Sequence, residues 1–497
     1  MQLIDVFPFI PLAFGVLTLL LPRGNQWVRI VPILGALVTF GVSVGFAAGY
    51  FALGGTATTS SIHPWITGPW TAAYHVRVDA TSIFFVLLTT FVAVPAIWAA
   101  WTYADAARAR GFMFLLLAFE STLLGLFTAA DLLVFYVYWD LMLIPVFLLL
   151  AGYAGSDDAR RAAWAYLIYN GAGGLVLLLG VVGLVAVTHT FEVLGTTFAL
   201  SPALQWWLFG AFAVAFLVKT PAFPFHAWMP PTYTQSPPPL VAMISGVQSK
   251  AGLYGFIVFA LPLFPDAARA WAPLMLVIAL VSILYGAFAA LGQSDMKTLV
   301  AYTSLSHLGL VLLALFAFDV TSLPASILMI VSHGLISAAL FIMLGFIEER
   351  VGTRDLFAFG GLAAKAPRLQ ALMLVAAMAT LGLPGLSGFA GEFLILVGSW
   401  QTQPVITALS LPAIVLASAY VLRLYQAAMH GEYRVPDPQR AGVSGAHAME
   451  LRPREMLVIA PLLAAIVFLG VWPGALTGRT VPPAPAAHAV APHEARA

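Results

Sequence analysis

Apolar runs close to the ~20 residues that cross the hydrocarbon core of a bilayer recur from one end of this chain to the other. They begin near residues 3, 27, 79, 111, 130, 162, 206, 238, 271, 297, 322, 369, 405 and 456 and predict about 14 transmembrane helices. Most linkers between them are short. Two stretches are polar or low in complexity: 433–454, and VPPAPAAHAVAPHEARA at 481–497, whose Pro/Ala-rich composition predicts a disordered tail. The first run has no positively charged leader and no small-residue cleavage site, so it is expected to be a first membrane helix and not a signal peptide.

The pattern is interrupted most sharply between Phe212 and Gly252. Lys219 ends a wholly apolar run, Pro221 and Pro224 follow where the helix should continue, and Lys250 lies inside the next apolar segment. Proline removes a backbone donor and crowds the preceding turn, which predicts a broken seventh helix. Irregular backbone at membrane depth survives only where protein buries it or where it lines a wet cavity. Leu383-Pro384-Gly385 predicts a second break, in the twelfth helix. The two breaks belong to an internal repeat offset by about 164 residues, in which Asp131 and Asp295 each open a helix and Lys219-Thr220-Pro221 falls opposite Leu383-Pro384-Gly385. Each copy holds five helices, and an odd count inverts the second copy in the membrane. The expected organisation is a three-helix N-terminal segment (1–110), two inverted five-helix repeats (111–261 and 262–430), an inside loop with the last helix (431–480), and the tail.

Composition agrees with this all-α polytopic membrane protein. The 497 residues are 61% hydrophobic and 9% charged, against about 25% charged in a soluble domain. The chain has no cysteine, which excludes cysteine-ligated iron–sulfur clusters and thiol chemistry. A net charge of +1 without a basic patch argues against nucleic acid as a partner. Basic residues concentrate on one side of the predicted bundle, among them Arg108, Arg110, Arg160, Arg161, Arg350 and Arg354. The other side carries Arg77, Arg269, Arg479 and Arg496. The positive-inside rule then puts both termini outside.

Ionisable groups inside the apolar helices are the candidates for chemistry. A charge at the bilayer centre costs roughly 3 kcal/mol on insertion scales, so each calls for a partner or a function, and an ion path is the leading explanation. Asp140, in FYVYWDLMLIP, and Lys219 fall on the second and fourth helices of the first repeat and are expected to pair, each tuning the proton affinity of the other. A static ion pair is the alternative. Lys250 is a carrier for an exchangeable proton, or a lysine bonded to carbonyls freed by the break. Thr303, Ser304 and His307 share one helical face, and Ser326, His333 and Ser337 another, so the two histidines can relay protons through both ring nitrogens, or can be hydrogen-bonded core. Glu392, in GFAGEFLILVGSW, ends the series. Glu120 and His226 are secondary candidates, Glu120 as a second carboxylate near Asp140. Haem held by two of His226, His307 and His333 would leave the lysines and carboxylates unexplained. No phosphate-binding loop, metalloprotease pair or nucleophile elbow is present, and no cofactor or metal is expected on this chain.

The segments ADLLVFYVYWDLMLIP, FLVKTPAFPFHAW, GVQSKAGLYGF, DMKTLVAYTSLSHLGL, SHGLISAALFIMLGFIEERVGTRDL, LGLPGLSGFAGEFLILVGSW and LRPRE resemble the antiporter-like membrane subunits of respiratory complex I. The resemblance covers most of 120–455. It implies 14 helices, two inverted five-helix units and broken seventh and twelfth helices. It places Asp140 and Lys219 at the carboxylate–lysine pair, Lys250 at the central lysine, His307 and His333 mid-axis, and Glu392 at the charged residue of the twelfth helix. The implied function is proton translocation in a bacterial NADH:quinone oxidoreductase, in the inner membrane beside other membrane subunits, with the redox chemistry on other chains. A Mrp-type cation/proton antiporter and a membrane-bound hydrogenase share the same helices; a proton-coupled bicarbonate uptake complex, with a zinc-bearing soluble partner, and a non-pumping scaffold are the remaining alternatives. Two departures stand out. Asp140 replaces the usual glutamate, shorter by one methylene, so a water bridge to Lys219 is expected in place of direct contact. Pro231-Thr232-Tyr233 replaces the Asp-Ala-His that often follows HAWMP.

Overall fold

The computed structural model of the chain describes residues 2–53, 58–101, 103, 108–196, 198–436 and 449–479. The tail at 481–497 and most of the polar stretch at 433–454 lie outside the described residues. Thirteen helices among them are long and apolar enough to cross a membrane: Leu3–Leu20, Trp27–Ala52, Ser82–Ala99, Ala109–Thr128, Leu132–Tyr153, Asp157–Thr188, Pro202–Lys219, Pro238–Leu263, Pro265–Leu291, Met296–Ala317, Ser322–Val351, Pro404–Met429 and Pro453–Val471. Two shorter helices, Pro367–Thr380 and Ser387–Thr402, lie between Ser322–Val351 and Pro404–Met429.

Pro238–Leu263, Met296–Ala317 and Ser322–Val351 are the most completely buried spans and form the centre of the bundle. The peripheral helices bury one side only. Asp157–Thr188 turns Trp164, Ile168, Leu175 and Leu179 outward, apolar surface of the kind that lipid or a neighbouring chain covers. The centre is therefore where polar side chains are most fully cut off from water.

The all-α expectation needs one correction. Thr59–Ile66 and Ala72–Val78 pair as an antiparallel hairpin, with Thr59 opposite Val78 and Ile62 opposite His75. From His75 onward the second strand alternates, burying Val76 and Val78 while His75 and Arg77 are partly exposed. The hairpin grips the start of the Leu132 helix: Ala130 N–H donates to the His75 carbonyl at 2.9 Å, and Ala73 N–H to Asp131 Oδ2 at 3.1 Å.

The two aspartates read as helix openers are N-caps. Asp131 accepts from the N–H groups of Leu133 and Val134, and Asp295 from those of Lys297 and Thr298, satisfying donors that a helix start leaves free. The residue after each cap makes the same external bond, Leu132 N–H to the Phe191 carbonyl and Met296 N–H to the Arg354 carbonyl, both 3.0 Å.

The helical path ends after Lys219 and resumes at Met229–Gln235, and it ends again between Thr380 and Ser387. Both ends carry one hydrogen-bond pattern: Thr220 to Phe216 with Ala222 to Leu217, and Leu381 to Ala377 with Leu383 to Met378. This pattern sets Lys219 opposite Thr380, three residues away from the expected alignment with Leu383. The proline in each segment had suggested the other register, but the proline does not occupy the same step of the two breaks.

Candidate functional site

The polar groups of the bundle centre fall into two sets. In the first, Asp140 ends the segment Leu132–Leu141, just before the one-residue interruption at Met142. Lys219, buried at the end of Pro202–Lys219, donates from Nζ to the Trp139 carbonyl at 3.4 Å and lies 4.7 Å from the centroid of the Trp139 indole. A cation over an indole face is stabilised by about 1–2 kcal/mol when desolvated. No direct ion pair joins Lys219 to Asp140, whose Oδ1 is buried without a hydrogen-bond partner. Asp140 is instead pressed against the neighbouring helix at Gly174, where a Cβ would collide with its carboxylate.

The second set is contiguous. Pro238–Leu263 is not a regular helix: its α-helical part ends at Gly246, a 3-10 turn runs through Gln248–Lys250, and a π-helical turn covers Phe256–Ala260. Such departures inside a span often mark functional sites. The turn carries Lys250 into the core, where Nζ donates to the Ser245 carbonyl, to Ser249 Oγ at 3.1 Å, and meets His333 Nδ1 at 2.8 Å. An ammonium can donate to Nδ1 only when that nitrogen has its lone pair free, so lysine and histidine are placed to exchange one proton. The ring of His307 lies 5.6 Å from that of His333, centroid to centroid, and His307 Nε2 is 3.3 Å from Glu392 Oε1. Glu392 folds back onto the break in its own helical pair. Gly382, at φ 78°, leaves the space its carboxylate occupies, and a Cβ there would lie 2.6 Å from Oε2.

Lys250, His333, His307 and Glu392 are thus brought together from four helical segments. Asp140 and Lys219 share a neighbourhood without contact. Thr220, next to Lys219, has a buried hydroxyl without a partner, packed where a Cβ on Gly252 would clash, two residues beyond Lys250. The secondary candidates stand apart. His226 is buried among Phe223 and Tyr285, at ring distances of 5.7 and 5.1 Å, with Nδ1 unpaired. Glu120 is fully buried and neither carboxylate oxygen has a hydrogen-bond partner. Sequence reasoning missed Ser245 and Ser249, the groups that hold the Lys250 ammonium. Their i−5 and i−1 spacing from the lysine is a signal only once a 3-10 turn replaces the helix. It also missed Gly174 and Gly382, which no periodicity distinguishes from the other glycines.

Residues 129–417 match the transmembrane family described as NADH:quinone oxidoreductase/Mrp antiporter. The chain is 34% identical over 514 residues to NADH-quinone oxidoreductase subunit M of Mycobacterium tuberculosis, covering 95% of this chain and 91% of that protein. It is 35% identical over 460 residues to the subunit of the same name from Escherichia coli K12, covering 88% and 89%. Among solved structures, a chain of respiratory complex I from Thermus thermophilus with bound NADH superimposes with a TM-score of 0.84 at 32% identity, over 96% of this chain and 97% of that one. A chain of the Mrp complex from Dietzia sp. DQ12-45-1b shares the fold, with a TM-score of 0.81 at 21% identity over 97% and 96%. With more than half its length matched and relatives above 30% identity along nearly all of it, the chain belongs to the NADH:quinone oxidoreductase/Mrp antiporter family of membrane proteins.

Proposed function

We propose that the chain is a proton-translocating membrane subunit of a bacterial NADH:quinone oxidoreductase, coupled to quinone chemistry on other subunits. The observation that carries this reading is the unbroken series Lys250, His333, His307, Glu392 at the buried centre of the bundle. Each member can bind and release a proton, and contact-distance spacing suits transfer from one to the next. Asp140 and Lys219 act in this reading as the charge-coupled pair that senses the neighbouring subunit, with the carboxylate bonded to the Tyr136 hydroxyl and not locked to the ammonium. Glu120 and His226 stand outside the main series as reserve protonatable groups.

The finer architecture belongs to the same proposal. Counting the Pro367–Thr380 and Ser387–Thr402 pair as one broken span gives 14 helices, and Pro202–Lys219 with Met229–Gln235 gives the broken seventh. The paired capping and break patterns support two inverted repeats, 111–261 and 262–430, after the 1–110 segment and before the last helix in 431–480. The basic loops support both termini outside, in the bacterial inner membrane, with the outward apolar faces against lipid and sister subunits.

Lys219→Ala in native inverted vesicles tests the reading, with assembly followed on a native gel. Assembly with collapsed NADH-driven proton uptake is the expected result. Unchanged NADH oxidation and unchanged uptake would overturn it. The shared fold of the Mrp chain keeps one alternative in view, a cation/proton antiporter subunit; sodium-driven proton exchange without NADH would bring it forward.

A further inference from the structure

The series from Lys250 to Glu392 is buried, and a third buried lysine lies at the start of the helix that carries His307. Lys297 sits in the first turn of Met296–Ala317 with its side chain 3% exposed, and its ammonium is held 2.5 Å from Glu348 Oε2. Glu348 lies near the end of Ser322–Val351 and is itself half open, at 31%. Arg354 completes the cluster: its Nε is 3.1 Å from Asp295 Oδ2 and 3.8 Å from Glu348 Oε1, and its Nη1 donates to the Thr234 carbonyl at 2.7 Å. Thr234 Oγ1 in turn meets Thr298 Oγ1 at 2.7 Å. The cluster therefore ties together the end of Met229–Gln235, the start of the Lys297 helix and the end of the Glu348 helix.

Above it the polar groups continue. Lys297 and Ser304 are seven residues apart, two turns on one face and about 10 Å along the axis. Ser304 Oγ is 3.4 Å from Ser245 Oγ, and the Ser245 carbonyl receives the Lys250 ammonium. Beside this line the Tyr233 hydroxyl reaches toward Ser249 and Ser245, and the hydroxyl of Ser236, which follows the Met229–Gln235 helix, is buried without a hydrogen-bond partner. A buried hydroxyl left unpaired by protein is ordinarily satisfied by water. A charged, half-open cluster thus stands at one end of a line of serines and buried hydroxyls, and Lys250 stands at the other.

We propose that Lys297 and Glu348 form a closed gate on the basic side of the membrane, through which protons reach Lys250 past Ser304 and Ser245 when the pair separates. Arg354 and Asp295 are positioning residues: they hold Glu348 and the helix start in register and carry no proton themselves. The inference rests on the proton-translocation reading above and adds its point of entry.

The assembled complex in native membranes tests it. Because the chain has no cysteine, Ser304→Cys gives it a single thiol, and modification of this chain by a small charged methanethiosulfonate is read as a mass shift, with reagent added to either face. With Lys297 and Glu348 intact, modification is expected to be slow from both faces. Adding Glu348→Gln, or Lys297→Ala, should raise the rate at least tenfold from the basic face alone and lower protons taken up per NADH. Rapid modification with the pair intact, an unchanged rate in the gate variants, or acceleration from the opposite face would each overturn the gate. The first of these needs only the Ser304→Cys complex, so a gate variant that fails to assemble leaves the proposal exposed to refutation. Failure of the underlying reading is distinguished by Lys250→Ala: a wild-type ratio of protons per NADH in that variant overturns translocation by this chain, whatever the thiol reports.

Discussion

Gly382→Ala should disable the Glu392 end of the series without altering any ionisable group. The new methyl would lie 2.6 Å from Glu392 Oε2, whereas ordinary contact begins near 3.4 Å, so the carboxylate has to retreat by 0.8 Å (3.4 − 2.6) or turn away. Its partner, His307 Nε2, is already 3.3 Å from Oε1. Retreat lengthens a contact that is already long for proton transfer, and each increase of about 1.4 kcal/mol in the barrier between the two slows transfer roughly tenfold. The substitution also forces an alanine to φ 78°, a strain of about 1–2 kcal/mol. Gly385→Ala separates the two effects: Gly385 has φ 91°, a similar strain, with no atom within 4 Å of an added Cβ. The assay is NADH-driven proton uptake per NADH in inverted vesicles, with thermal stability of the complex measured alongside. Both variants should lose comparable stability, and only Gly382→Ala should lose proton uptake. Equal uptake in the two would refute the idea that Glu392 must hold its place against the break.

Three further outcomes follow from the geometry. Lys250→Arg keeps the positive charge but substitutes a guanidinium that does not release its proton; uptake per NADH should fall as far as in Lys250→Ala, and a wild-type ratio would show that charge alone suffices. Gly174→Ala drives a methyl into the Asp140 carboxylate at an overpacking cost of about 1–3 kcal/mol; lowered uptake with assembly retained on a native gel is expected, and unchanged uptake would remove Asp140 from the path. Glu455→Ala strips the partner from Arg350, whose Nη2 is 2.5 Å from Glu455 Oε2 with both side chains no more than 5% exposed. Leaving that guanidinium buried without its counter-charge, with only the Phe346 and Glu450 carbonyls to accept from it, should cost about 3–5 kcal/mol, seen as a lowered melting temperature; a melt like wild type would mean that water reaches the site.

What the sequence made legible is what local chemistry controls. Asp131 and Asp295 could be read as helix openers because an aspartate before an apolar run is a cap wherever it occurs. The break after Lys219 could be read because proline forbids the next turn. The hairpin was hidden: Thr59–Ile66 carries a proline and three exposed large apolar side chains, Ile62, Trp65 and Ile66, and looks like a loop until Ala72–Val78 pairs with it. The irregular turn that presents Lys250 was hidden for another reason. It arises where backbone hydrogen bonds change partner, and no single residue between Gly246 and Phe256 announces that. The partner of Lys250 lies 83 residues away, at a distance only packing can close.

The two polar sets are held differently, and the difference suits different tasks. Lys250 meets His333 at 2.8 Å, the rings of His333 and His307 are 5.6 Å apart, and His307 faces Glu392 at 3.3 Å, so in the proposed function a proton passes along them with small movements of the side chains. Lys219 rests on the Trp139 carbonyl and indole, and Asp140 presses against Gly174 with one oxygen unpaired. A carboxylate bonded to a neutral hydroxyl, here that of Tyr136, responds to a charge arriving from a neighbouring chain more readily than one locked in a buried ion pair, whose separation costs several kcal/mol. In the proposed function, the first set is therefore the part that receives the signal and the second the part that moves the proton. The short gap at Thr220 and Gly252 lies between them. In the proposed function a change of charge at Asp140 is passed to Lys250 there through Lys219 and the unpaired Thr220 hydroxyl, a coupling that asks no helix to move.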